Sequence, residues 1–134
     1  MQEKLPYSVA VFVRTRISAA LVQDPEQNLP LYWKPPGGHG NPGETPLQAA
    51  VRETREETGL DISRNVLRYV GYEIRAWPRR HTYHLYEAHL QNLRGIKPKG
   101  GSGETVRIYP LNRLRTMPDL LPTAKKSLIK FRLI

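Results

Sequence analysis

Cysteine is absent from this 134-residue chain, which excludes disulfides, thiolate-ligated zinc and a cysteine nucleophile. Long apolar runs are absent too. None approaches the roughly 20 residues needed to span a bilayer, and MQEKLPYSVAVFVRTR lacks the charged start and long apolar region of a signal peptide. The expectation is a soluble, cytoplasmic protein with no membrane partner. Acidic residues are scarce: 12 face 21 Lys and Arg, a formal net charge of +9. That balance favours anionic partners such as nucleotides or nucleic acid. The basic residues are scattered rather than massed, so solubility alone would also account for them. The length and an ordinary apolar fraction of 39% point to one domain, residues 1–134, with a continuous core.

Against that scarcity, one stretch gathers carboxylates. PPGGHGNPGETPLQAAVRETREETGL, residues 35–60, holds Glu44, Glu53, Glu56 and Glu57, four of the twelve acidic side chains. Like charges a helical turn apart repel, so something positive is expected among them.

The elements around this stretch are readable. Residues 7–16 and 17–22 form β-rich apolar strands, QDPEQNLP (23–30) is turn material, and LYW at 31–33 is a short strand candidate. The prolines and glycines of KPPGGHGNPG read as a loop without regular structure. Thr45 is placed to cap a helix, with Pro46 at its first position, Gln48 completing a capping box and Gly59 stopping it. Leu47, Ala50, Val51, Thr54 and Thr58 recur at helical spacing as the buried stripe, with Glu53, Glu56 and Glu57 expected on the opposite side. Two strands follow at 66–77 and 81–90, then a basic, glycine-rich and mobile loop at 93–104. A last strand (105–111) precedes a closing helix at 120–131, with Ala124, Leu128 and Phe131 inward. Together these predict a mixed sheet covered by helices, an α/β fold.

Glu53 lies three residues before Glu56 and four before Glu57, so the three carboxylates converge, and Arg52 is four before Glu56, within ion-pair reach. Hard oxygen ligands on a helix beside a glycine-rich loop suit Mg²⁺ or Mn²⁺. Such an ion would offset the repulsion, bridge phosphate oxygens and help ionise a water. An exposed glutamate face paired to Arg52 and Arg55 is the bland alternative.

The spacing is more specific than either reading. Gly38, five residues, Glu44, seven residues, Arg52-Glu53, then Glu56-Glu57, Gly59 and Leu60 resembles the Nudix box over 23 residues. One position departs: Thr54 stands where an apolar residue is usual, and its hydroxyl needs a partner. The resemblance implies a Nudix-type α/β/α sandwich with a mixed sheet between helices. It implies Mg²⁺-dependent hydrolysis of a nucleoside diphosphate linked to another group. Carried over by position, Glu56 and Glu57 are the main metal ligands and Glu53 a ligand or base. Arg52 orients a glutamate, the Gly37 carbonyl adds a metal contact, and Glu44 braces the loop–helix junction. Homodimers are frequent among similar proteins.

Outside the box the signal thins. Glu104 is the choice for a further catalytic carboxylate, ahead of Glu73 and Glu87, because loops deliver such groups. His39 follows the glycine pair and sits beside the metal site, whereas His81, His84 and His89 do not suggest a histidine site of their own. Trp33, Tyr72, Trp77 and Tyr83 are stacking candidates. Lys34, Arg75, Arg79 and Arg80 are phosphate-binding candidates, with Trp77-Pro78-Arg79-Arg80 the turn that faces substrate. Nucleoside triphosphates head the substrate list, followed by nucleotide sugars and dinucleoside polyphosphates. The positive charge keeps a triphosphorylated or capped RNA end open. The alternative of another class is a non-catalytic nucleotide- or nucleic-acid-binding module on the same fold.

Overall fold

The computed structural model describes residues 6–25 and 31–134. The first five residues and most of the expected turn at 23–30 lie outside it. Its elements are β1 (Tyr7–Arg14), β2 (Ser18–Gln23), β3 (Gly37–His39), α1 (Pro46–Thr58), β4 (Leu67–Arg75), β5 (His81–His89), β6 (Thr105–Pro110) and α2 (Pro122–Lys130). Short 3₁₀ turns occupy Arg64–Val66 and Leu111–Thr116.

β1 is the organising strand. Its alternation sends Val9, Val11 and Val13 to one face and Ala10 and Phe12 to the other, and all five are buried. On one edge β1 pairs along its length with β5, in parallel. The other edge is shared: Ser8–Ala10 pair with β3 and Val13–Arg14 with β2, both antiparallel. With β4 beyond β5 and β6 beyond β2, the result is a six-stranded mixed sheet in the order β4-β5-β1-β2-β6, with β3 off that path. Ala49 and Ala50 of α1 join the core on the valine face, while Leu128 of α2 and Leu114 join the core on the Phe12 face. The fold is α/β, a mixed sheet between helices. No helix among the described residues is long and apolar enough to cross a membrane.

Four local expectations change. Gly37–His39 is a strand rather than part of an irregular loop. A Cβ on Gly37 would lie 2.1 Å from the Val9 carbonyl oxygen; bare glycine lets the chain lie that close to β1. Residues 31–33 form no strand, and only isolated bridges join Trp33 to Leu120 and Lys34 to Val22.

The buried stripe of α1 is also rotated. Ala49, Ala50, Thr54, Glu57 and Thr58 are buried, while Leu47 and Val51 are only half-buried. Glu57 therefore faces inward, not away from the core. On a wheel with Leu47 at zero, ~100° per residue puts Glu57 only about 80° from the stripe, and β3 packs on that flank. Finally, the glycine-rich loop is tethered: the Lys97 N–H donates to the Thr58 carbonyl at 2.9 Å and the Gly101 N–H to the Glu56 carbonyl at 2.8 Å. Those carbonyls belong to the end of α1, where helices lack internal partners.

Candidate active site

The site is built on α1, whose ends are fixed by its own sequence. The Thr45 hydroxyl accepts from the Gln48 N–H at 3.2 Å while Gln48 Oε1 accepts from the Thr45 N–H at 2.9 Å, a reciprocal cap. Gly59 ends the helix at φ +79°, in the left-handed region. The Thr54 hydroxyl finds its partner one turn back, donating to the Ala50 carbonyl at 2.8 Å.

The positive group among the carboxylates is Arg52. Its Nε and Nη2 grip Glu44 at 2.8 and 2.9 Å, and Nη1 reaches Glu53 at 2.9 Å and Glu56 at 3.1 Å. Nη2 also donates to the His39 carbonyl at 3.1 Å, tying the helix to the end of β3. Glu44 in turn accepts from the Asn41 N–H at 3.0 Å, so it braces the loop before the helix. Hydrogen bonding from Arg52 holds the Glu44 carboxyl below the usual carboxylate range, and the same bond raises Arg52.

Glu57 is outside that grip. It is buried, and its Oε1 accepts from the Gly37 N–H at 2.5 Å. Burial pushes its carboxyl up to about 8, against the pull of the Gly37 N–H and the Lys34 charge; the Glu53 and Glu104 charges push the same way as burial. Glu53 is also raised, chiefly by burial and despite its bond to Arg52. A Cβ on Gly38 would lie 2.7 Å from Glu53 Oε1, so the glycine gives this carboxylate its room. Glu56 is half exposed at the outer edge of the cluster. Glu104 is buried, its Oε1 accepting from the Ser102 N–H at 3.1 Å, and its charge is felt at Glu57. Arg52, Glu53, Glu56, Glu57, Glu104, Gly37 and Lys34 thus form one neighbourhood. No group of three His, Asp or Glu side chains among the described residues is disposed as a metal cage. Arg52 draws Glu53 and Glu56 to itself while Glu57 turns to Gly37.

Beside this cluster opens a cleft of about 750 Å³ lined by Lys34, Gly37, Gly38, His39, Arg75 and Trp77 among others. Arg79 instead lines a smaller adjoining cavity of about 360 Å³ with His39 and His81. Arg80 borders neither of them. The far wall of the cleft is α2, which the sequence did not mark. Arg75 Nη2 donates to Ser127 Oγ at 2.8 Å, and that hydroxyl lies 2.5 Å from Glu73 Oε1. The Arg75 guanidinium lies 3.6 Å from the centre of the Tyr83 ring, whose hydroxyl burial pushes up to about 12. Ser127 immediately precedes the inward Leu128. A small hydroxyl on the inner half of a helix is the signal that could have drawn attention to it.

The NUDIX domain family model matches residues 4–131, and the chain belongs to that family. An asymmetrical bis(5'-nucleosyl)-tetraphosphatase of Mus musculus is 40% identical over 67 residues, 46% of each chain. The m7GpppN-mRNA hydrolase NUDT17 of Xenopus laevis is 40% identical over 57 residues, 40% of this chain and 19% of that one. The matched segments thus span less than half of these curated relatives. Among solved structures, the NUDIX domain of Shewanella oneidensis NrtR complexed with ADP ribose superposes with a TM-score of 0.78 at 20% identity, covering 100% of this chain and 91% of that one. That likeness concerns the fold.

Proposed function

We propose that this chain acts as a single domain, cytoplasmic in setting, that hydrolyses a phosphoric anhydride bond in a nucleoside diphosphate linked to another group. The observation that carries the reading is Glu57. A carboxylate buried at the glycine-rich strand, with two others within a turn of it and a Lys34 charge that does not overcome its burial, calls for a further positive ligand. The donor set contains only oxygens, which fits Mg²⁺ or Mn²⁺. Glu53, Glu56 and Glu57, with the Gly37 carbonyl, would hold it. Bound there, such an ion supplies charge neutralisation at the phosphates and acidifies a water.

The chain's own residues do the rest. Arg52 positions Glu44, Glu53 and Glu56 and fixes α1 against β3. Glu53, whose carboxyl is raised, would take a proton from the attacking water, with Glu104 as the further carboxylate. Lys34 and Arg75 meet phosphate charge along the cleft, and His39 sits at the junction of the two cavities. Arg79 faces the smaller cavity, and Arg80 adds charge at the same turn. Dinucleoside polyphosphates rank first among substrates because the Mus musculus relative carries that activity in its name; nucleoside triphosphates and nucleotide sugars follow. A capped or triphosphorylated RNA end stays in the set through the Xenopus laevis relative and the net charge of +9.

The test is turnover with and without Mg²⁺ across diadenosine tetraphosphate, nucleoside triphosphates, a nucleotide sugar and triphosphorylated RNA, using Glu57→Gln as control. The expected result is metal-dependent release of phosphate-bearing products, reduced at least roughly 100-fold in the variant. Nucleotide binding without turnover, indifferent to metal, would instead establish a binding module.

A further inference from the structure

Of the eight large apolar side chains exposed among the described residues, five lie in or beside β4: Val66, Tyr69, Tyr72, Ile74 and Trp77. Tyr72 is 59% exposed, and Tyr69 and Ile74 are 47% exposed. Scattered apolar side chains need no explanation, but a concentration along one strand marks a contact surface. β4 is also an end strand of the sheet, paired only with β5 among the described residues. Its outer edge therefore presents backbone N–H and C=O groups that can take a further strand.

A bulge decides which side chains of β4 share a face. Tyr69 and Tyr72 both flank His84 on the α1 side of the sheet, Tyr69 through a 2.9 Å hydrogen bond and Tyr72 with ring centres 6.5 Å apart. Between them Val70 and Gly71 both turn to the α2 side, Val70 against the Phe12 core and Gly71 against the Phe131 ring. Strict alternation would have put the two tyrosines on opposite faces. Arg68 and Glu73 also lie on the α2 side, bonded to Glu87 and Ser127. The strand thus matches itself about a point between Val70 and Gly71. Leu67 corresponds to Ile74, Tyr69 to Tyr72, and Arg68 to Glu73 with the opposite charge.

We infer that β4 is the interface with a second copy of this chain, the two strands pairing antiparallel, edge to edge, about a twofold axis between Val70 and Gly71. A twofold contact uses each match twice. Tyr69 of one copy meets Tyr72 of the other on the α1 side, and Arg68 meets Glu73 on the α2 side. Side chains directly opposed in an antiparallel pair share a face, and this register meets that condition from Leu67 to Ile74. Bulges commonly spoil an edge for pairing; here each bulge faces the other across the axis, so neither strand runs ahead. Sliding by one residue sets Arg68 against Ile74, and by two sets it against Arg75.

The test is the oligomeric state of the full chain, which is independent of metal and turnover. The charge of +9 on each copy opposes association, so sedimentation equilibrium is run in roughly 0.15 M NaCl, where charges are screened beyond about 8 Å. The expected result is a concentration-dependent dimer, lost in Tyr72→Asp, a change on the face away from the cleft. Arg68→Glu and Glu73→Lys each set like charges together at both contacts and should raise the dissociation constant more than about tenfold. An equimolar mixture of those two variants restores opposite charges at both contacts and should recover the dimer. Thermal melts check that each variant folds; where Glu73→Lys does not, Tyr72→Asp decides alone. A monomeric wild type, a dimer indifferent to these substitutions, or no recovery on mixing the folded variants would overturn the inference.

Discussion

Two residues divide the acidic cluster between them. Arg52 satisfies Glu44, Glu53 and Glu56 at once and spans from helix to strand through the His39 carbonyl. Replacing it with Ala strands three carboxylates and removes one of the ties between α1 and β3, leaving that of Glu57 to the Gly37 N–H. The expected loss is about 2 kcal/mol in urea unfolding, since these pairs are partly buried but still reached by solvent. Glu57 makes the opposite kind of contribution. Folding raises its carboxyl from 4.5 to about 8, so the folded protein binds the extra proton between those values. Its contribution to stability is complete below 4.5 and is lost as pH rises through about 8. Thermal melts in EDTA should therefore show wild-type stability declining across this window relative to Glu57→Gln. A divalent ion needs the ionised carboxylate, so Mg²⁺ affinity should climb with pH over the same range, with proton release on binding. Pipette-based pH-stat or calorimetry in two buffers reads that release. Parallel stability curves for wild type and Glu57→Gln would mean that Glu57 is ionised in the fold.

At the scale of elements, α1 and β3 are a pair, and the two glycines of β3 serve different ends. A methyl on Gly37 meets backbone: the Val9 carbonyl oxygen at 2.1 Å and the Ala10 Cα at 2.8 Å. A methyl on Gly38 meets the Glu53 side chain at 2.7 Å, which can swing aside. Gly37→Ala should thus destabilise by about 3 kcal/mol and shift strand packing. Gly38→Ala should fold with a melting temperature near that of wild type and lose metal affinity and turnover, because Glu53 is displaced. Measuring both properties for both variants separates the roles. Equal stability losses would show that β3 cannot yield at either position. The cap at the start of the helix is a smaller contribution: Thr45→Ala removes the bond to the Gln48 N–H and should cost about 1 kcal/mol.

The whole molecule brings a surplus of positive charge to a site that is locally acidic. A net charge of +9 draws polyphosphates toward the protein, while the carboxylates hold them off unless a cation intervenes. KM for a nucleoside triphosphate should therefore rise with NaCl at saturating Mg²⁺, and KM for triphosphorylated RNA should rise more steeply, since more phosphates meet the surface. A flat salt response for RNA would confine the charge to solubility. At this scale the candidate site was only partly legible. The spacing of Gly38, Glu44, Arg52, Glu53, Glu56 and Glu57 placed the acidic helix beside a glycine-rich segment. Nothing local announced that α2 would carry Ser127 across 52 positions of sequence to pin Arg75.

By itself the sequence determined what depends on near neighbours along the chain. The capping box at Thr45, the stop at Gly59 and the Arg52–Glu56 pair four residues apart all arise within one or two turns. Only the tertiary structure decided which groups lose water. Glu57 is buried because β3 packs on its side of α1, and Gly37–His39 is a strand because β1 lies where bare glycine can reach it. Arg52 is held among the carboxylates because Glu44 and the His39 carbonyl, distant along the chain, arrive beside it. Trp77 is left in water at the edge of a cleft whose walls come from β1, β4, β5 and α2. Burial is set by what covers a residue, and what covers these residues comes from elsewhere in the chain.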